Sequence, residues 1–246
     1  MSRSGIGLIG VLAYVAALTV TAPAVLFDSR LSTASGGRLR LAATEGTLWN
    51  GRGRVELIDA SGRAGIDRSV AWHSRPWTLF FGQVVLDVRM EGAAKEFSVS
   101  LSPAGVKIAH ADFAVPASAM GLVFPKLAPF EPGGEVFLHV DELRLRNADA
   151  GGSAVLQWRA ATSALTGRVS LGDYEIRFDE TAEPRTVLHT LNGPLRIDGK
   201  EILDTDGRRA FHTVLEVSGN LRESLAPRLR LVAAERGDGG FELWFR

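Results

Sequence analysis

From about residue 38 to the end of the chain, apolar and polar residues alternate in short runs separated by glycine, proline and asparagine. This is the period-two pattern of strands that bury one face. Residues 54–59 alternate in their first half, and residues 81–91 place Val84, Leu86, Val88 and Met90 on one face. The runs 97–101 and 105–109 flank Ser102-Pro103-Ala104, which predicts a hairpin connection. Residues 135–146 put Val136, Leu138 and Val140 on one side until Asp141-Glu142 falls out of step, so a turn or bulge is expected there. Further strands are expected at 154–159, 168–178, 186–197, 210–218 and 240–245.

Helical signals are few in this stretch. Residues 116–129 are interrupted by Pro125 and read as a short helix followed by an extended linker. Residues 220–233 open on Asn220, a helix-capping type, and carry Leu221, Leu225, Leu229 and Val232 on one side; Pro227 would end that helix after little more than a turn. The expected fold is mainly β: an antiparallel, curved or layered sheet with one or two short helices.

The pattern changes before residue 28. Residues 6–27 form an uncharged apolar run. As a helix, such a run reaches about 33 Å, enough for a hydrocarbon core of about 30 Å. The expected organisation is a cytoplasmic tip over 1–5, a single transmembrane helix over 6–27 and a periplasmic β-rich domain over 28–246, with Arg3 favouring a cytoplasmic N-terminus. The competing reading is a cleaved signal peptide ending at Ala22-Pro23-Ala24. Both export the domain.

Composition narrows the function classes. With no cysteine, the chain has no disulfide framework, thiolate metal site or cysteine nucleophile. Lysine plus arginine equal aspartate plus glutamate at 28 each, so the basic excess of a nucleic-acid binder is absent. The five histidines are His73, His110, His139, His189 and His212, each isolated in or beside an expected strand, without the close spacing of a metal pair. Asp204-Thr205-Asp206-Gly207 lacks the later acidic ligands of a calcium loop and reads as a tight turn. Neither a glycine-flanked serine elbow nor a phosphate loop is present. No catalytic residue, cofactor site or metal site is therefore expected.

A loose internal echo runs through the chain. Trp72 precedes Phe80-Phe81-Gly82 and a long alternating strand; Trp158 precedes Leu165-Thr166-Gly167 and another. Two readings stand: two copies of a β-hairpin layer, or chance recurrence among many strands.

The most distinctive string is Gly46-Thr47-Leu48-Trp49-Asn50-Gly51. Leu48 and Trp49 are apolar anchors at a strand entry, and the flanking glycines permit turns or close backbone approach. The string resembles that of the type II secretion system protein N family of Gram-negative bacteria, in which a membrane anchor is soon followed by glycine-(Thr/Ser)-(Leu/Val)-tryptophan-x-glycine. The stretch from Trp72 to Gly82, Leu171-Gly172-Asp173-Tyr174, and Ser224-Leu225-Ala226-Pro227 through Gly239-Gly240-Phe241-Glu242-Leu243 resemble later landmarks of that family. Similar strings occur in AsmA-like envelope proteins, which are anchored the same way and built from β-layers around an apolar groove.

The resemblance implies a non-enzymatic component of the machinery that exports folded proteins across the outer membrane, held at the inner membrane with its sheet in the periplasm. It implies other secretion-system subunits as protein partners. Trp49, Trp72, Trp77, Trp158 and Tyr174 are candidates for an interaction surface, because large aromatics are enriched in binding hot spots. Packing between β-layers is the alternative role for each. A second hypothesis is a lipid-handling or assembly-assisting envelope protein, with faces such as Val84, Leu86 and Val88 lining an open groove. An exported enzyme would need polar residues converging in a pocket, and the sequence offers none.

Overall fold

Alternation becomes pleat throughout the computed structural model, which describes residues 35–58, 64–146, 149–167, 169–203, 209–218, 234–236 and 240–245, together with the single positions 24, 28, 32, 222, 225, 227 and 230. The chain divides into two units, one formed by residues up to Glu91 with Ser98–Pro103, the other by Gly92–Phe97 with the chain from Ala104 onward.

In the first unit β1 (Leu39–Gly46), β2 (Asn50–Ile58), β3 (Ala64–Ser74), β4 (Val84–Met90) and most of β5 (Phe97–Ser102) lie side by side in chain order. The register Gly51↔Trp72↔Val88 puts these three residues on one face, and directly opposed residues share a face in an antiparallel ladder. Trp72, Leu86 and Val88 are buried there, as the alternation requires. Edge strand β1 is not left bare: Leu41 N–H donates to Asp28 Oδ1 at 2.8 Å, and Ala24 N–H reaches Gly46 O at 3.4 Å. Covering an edge in this way blocks unwanted strand pairing.

In the second unit β6 (Gly105–Pro116), β7 (Gly133–Arg146), β8 (Asp149–Thr162), β9 (Ser170–Asp179), β10 (Thr186–Asn192), β11 (Leu195–Leu203) and β12 (Arg209–Val217) again follow chain order. β14 (Phe241–Phe245) then pairs with β12, and the two-residue β13 (Ala234–Glu235) lies outside it. The core cluster gathers Ala161, Leu171, Tyr174, Leu195, Val217 and Leu225. α1 (Ser118–Val123) is a short helix beside this end of the sheet.

The mainly β, antiparallel expectation with short helices is met. The bulge is met as well: Val140 opposes Ala154 and Glu142 opposes Ser153, leaving Asp141 as the extra residue. Three local expectations need correction. Residues 186–197 are not one strand but β10 and β11, because Gly193, at φ +133°, and Pro194 turn the chain between them. Phe81 belongs to a 3-10 helix, Pro76–Phe81, closed by left-handed Gly82, so β4 starts at Val84. The stretch after Pro125 is not extended; Pro125–Phe130 is a second 3-10 helix, entered through a proline whose fixed φ suits a first helical position.

Residues 204–208 lie outside the described residues, as do most of 220–233 and all of the expected anchor 6–27 except Ala24, which is buried in a turn. Among the described residues no helix is long and apolar enough to cross a membrane.

Candidate functional site

The tryptophan-glycine string forms a knot between two strand connections. Gly46 sits at φ +89°, and a Cβ there would lie 2.4 Å from Asn50 O. Thr47 N–H donates to Asn50 O at 2.9 Å, and its hydroxyl oxygen accepts from the N–H groups of Trp49 and Asn50, each at 3.2 Å. The turn is thus closed by its own threonine, as short hydroxyl side chains in turns commonly do. β3 is then tied to it. The Trp72 indole N–H donates to Thr47 O at 3.2 Å, and Trp49 O accepts both the backbone N–H (2.6 Å) and the hydroxyl (3.1 Å) of Ser74. Gly51 makes room for the indole, since a Cβ at Gly51 would lie 2.4 Å from Trp72 Cζ2. The spacing of the string is explained by this arrangement: one glycine for the turn, the other for the tryptophan arriving from β3.

The second unit repeats the device. Trp158 on β8 donates its indole N–H to Gly133 O at 2.9 Å, the same sequence separation of 25 residues that joins Trp72 to Thr47. Ser163, just past β8, donates its hydroxyl to Phe130 O at 2.8 Å. Each tryptophan strand runs into a 3-10 turn whose threonine bonds three residues back, Thr78 to Arg75 O and Thr166 to Ser163 O. Each turn ends on a left-handed glycine, Gly82 at φ +70° and Gly167 at φ +64°. Past β12, Ser218 N–H donates to Pro194 O at 2.9 Å, the tie that Ser74 makes to Trp49. The echo between Trp72 and Trp158 is therefore a structural repetition.

The expected interaction residues separate by exposure. Trp72 and Tyr174 are buried; the Tyr174 hydroxyl lies 2.9 Å from both Leu171 O and Leu195 O, and burial raises its pKa further above the ordinary phenol range. Trp158 is half-buried with its ring 5.9 Å from that of Tyr174, and Thr47, Leu48 and Trp49 are partly buried. Trp77 alone among these residues is freely presented, at 60% exposure.

Two features escape the sequence pattern. In the second unit, on the face of β9 opposite Tyr174, Glu175 is buried yet charged. Burial pushes its carboxyl up, but hydrogen bonds from Gln157 Nε2 (2.7 Å) and Arg177 Nη2 (2.9 Å), with the charges of Arg177 and His189, outweigh that and hold it below the usual carboxylate range. Nothing in the spacing of Gln157 and Glu175 announces that they oppose one another across β8 and β9. The other feature is apolar. Phe124, Phe130, Val169 and Leu191 are exposed at one end of the strands of the second unit, in the α1 connection and near the turns after β8 and β10. The proline-bounded stretch 116–129 was the available signal for Phe124, with Phe130 directly after it.

His212 bonds Glu242 across β12 and β14 with its ring 4.5 Å from that of Trp244, and His139 lies between Asp112 and Asp141. Among the described residues no group of three or more histidine, aspartate or glutamate side chains could hold a metal ion. What the chain presents is a meander of antiparallel strands whose tryptophans lock strand ends to preceding turns, with apolar side chains left exposed at the ends of the strands. This is the build of an antiparallel β-meander protein.

Residues 37–243, nearly all of the described strands, match the family described as Type II secretion system (T2SS), protein N. The chain belongs to that family and is a component of a type II protein secretion system. No curated protein and no solved structure matches it.

Proposed function

We propose that the protein is a non-enzymatic, inner-membrane-anchored component whose sheet stands in the periplasm and contacts other secretion-system subunits during export of folded proteins across the outer membrane. Family membership over residues 37–243 is the observation that carries this reading. The apolar run 6–27 supports the anchor, with residues 1–5 cytoplasmic and the chain from 28 onward periplasmic. The exposed Phe124, Phe130, Val169 and Leu191 at one end of the strands offer a subunit-binding surface, since large apolar side chains gathered at one end of a fold mark interaction sites. A photoreactive residue at Phe124 in the native envelope is expected to crosslink secretion-system subunits, and Phe124→Asp is expected to reduce secretion while the protein still accumulates. Normal secretion by a strain lacking this chain would sink the reading.

One observation favours a second reading, an envelope protein with an apolar groove for lipid. Phe113, Leu138, Leu156, Ile176 and Leu188 oppose one another strand by strand across β6 to β10 and stay only partly buried, with Ile176 37% exposed. A photoreactive residue at Ile176 separates the two. Phospholipid adducts there, without protein adducts at Phe124, would favour the groove.

A further inference from the structure

The connection between β3 and β4 presents an apolar tip. Its 3-10 helix reads Pro76-Trp77-Thr78-Leu79-Phe80-Phe81, and no charged residue occurs from Pro76 to Leu86. Phe80 is 92% exposed and Phe81 78%, far beyond the scatter of single apolar residues found on any surface. The tip is not slack. Thr78 is buried, its hydroxyl donates to Arg75 O at 2.7 Å and accepts from Val85 N–H at 3.2 Å, and Gly82 closes the turn by donating to Leu79 O at 2.9 Å. At its base Arg75 pairs with Asp87 through two contacts of 2.8 Å, which ties the nearest charges to each other. A fold that spends ordered hydrogen bonds on holding two phenylalanines and a tryptophan outward gives them an apolar or interfacial environment to enter.

The path of the chain identifies that environment. The tip leaves the sheet directly after Ser74, which is tied to Trp49, so it stands at the same end as the turn between β1 and β2. Ala24 bonds Gly46 at that same end, two strand positions away, or roughly 10 Å at the usual strand spacing. Ala24, which lies within the apolar run 6–27 of the sequence, thus joins the first unit at the end of the strands where the tip stands. Tryptophan and phenylalanine next to a membrane-embedded segment sit at the headgroup level.

We propose that Trp77, Phe80 and Phe81 dip into the surface of the lipid bilayer that holds the N-terminal run, giving the first unit a second membrane contact and fixing its orientation. The occupant is the phospholipid interface; a protein partner at the tip is the outcome that overturns the idea. This inference rests on reading residues 6–27 as a membrane anchor, and the experiment keeps the two separate.

The chain has no cysteine, so a single one can be labelled cleanly. Full-length Phe80→Cys and Ser69→Cys proteins, each carrying an environment-sensitive fluorophore, would be reconstituted in phosphatidylethanolamine–phosphatidylglycerol vesicles containing doxyl-labelled lipid. Ser69 is exposed on β3, five residues before Ser74 and roughly 17 Å up the strand. Quenching at position 80 about threefold or more above that at position 69 is expected for a side chain at the headgroup–acyl boundary. Alkaline carbonate extraction of the same vesicles reads the anchor. Retained protein with equal quenching at both sites overturns the proposal and leaves the anchor. Extracted protein whose position 80 was nevertheless quenched supports the tip and overturns the anchor. A blue-shifted label at position 80 without lipid quenching places a protein there and overturns the proposal.

Discussion

Gly51 shows how packing alone can require a glycine. Its backbone is extended and would accept any side chain, yet an added Cβ would meet the Trp72 ring at 2.4 Å and Glu45 O at 2.8 Å. The requirement is space for an indole. Gly51→Ala is therefore expected to destabilise the protein by about 1–3 kcal/mol through overpacking, measured by denaturant unfolding. Glu175 poses the opposite problem, a charge kept buried by partners. Its folded pKa lies below its unfolded value, so its charge stabilises the fold above the ordinary carboxylate range, about pH 4.3, and that stability is lost as pH falls through the lowered value. Glu175→Gln is expected to be less stable than the parent by about 1 kcal/mol at pH 7, with the gap closing on acidification. A gap that widened in acid would contradict the assignment.

Strands and turns show where alternation suffices and where it does not. The bulge at Asp141 was legible because two polar residues in succession break a period-two pattern. The split of β10 from β11 was not, since Leu191 to Leu195 keeps apolar residues on both sides of a two-residue turn that Gly193 and Pro194 alone signal. Thr213, on β12 between β11 and β14, is buried with no hydrogen-bond partner for its hydroxyl. Thr213→Val keeps the shape and removes the unsatisfied group, so a gain of about 1 kcal/mol is expected in thermal or denaturant unfolding. Along the second unit, amide hydrogen exchange should be slowest in the 14-residue β7 and β8, and fastest at the two-residue edge strand β13. Equal protection along the sheet would show a single cooperative unit instead.

For the whole molecule, consecutive strands mostly pair with their chain neighbours, so each pairing closes only the short connection between two successive strands. That economy favours a repeated device, and the Trp72 and Trp158 locks are its two clear copies. With zero net charge the chain carries no overall charge to attract partners of one sign. The associations proposed for it, with secretion-system subunits and with a bilayer, would then rest on apolar surface. Raising salt from 0.1 to 1 M is expected to leave crosslinking at Phe124 unweakened, as salt screens charges but not apolar burial.

The sequence by itself determined the class of fold, the period of its strands, the bulge, the absence of cysteine chemistry and the family, because these depend on residue type and local order. Tertiary structure decided what each aromatic does. Trp72, Trp77 and Trp158 read alike along the chain, yet Trp72 is buried against the turn after β1, Trp158 is half-buried against Tyr174, and Trp77 stands in the open. Burial depends on which strands lie alongside and on where a turn points its residues, and neither is written in the period of a single strand. The charged Glu175, the exposed rim and the aromatic tip after β3 were hidden for the same reason: each exists only once separate segments have been brought together.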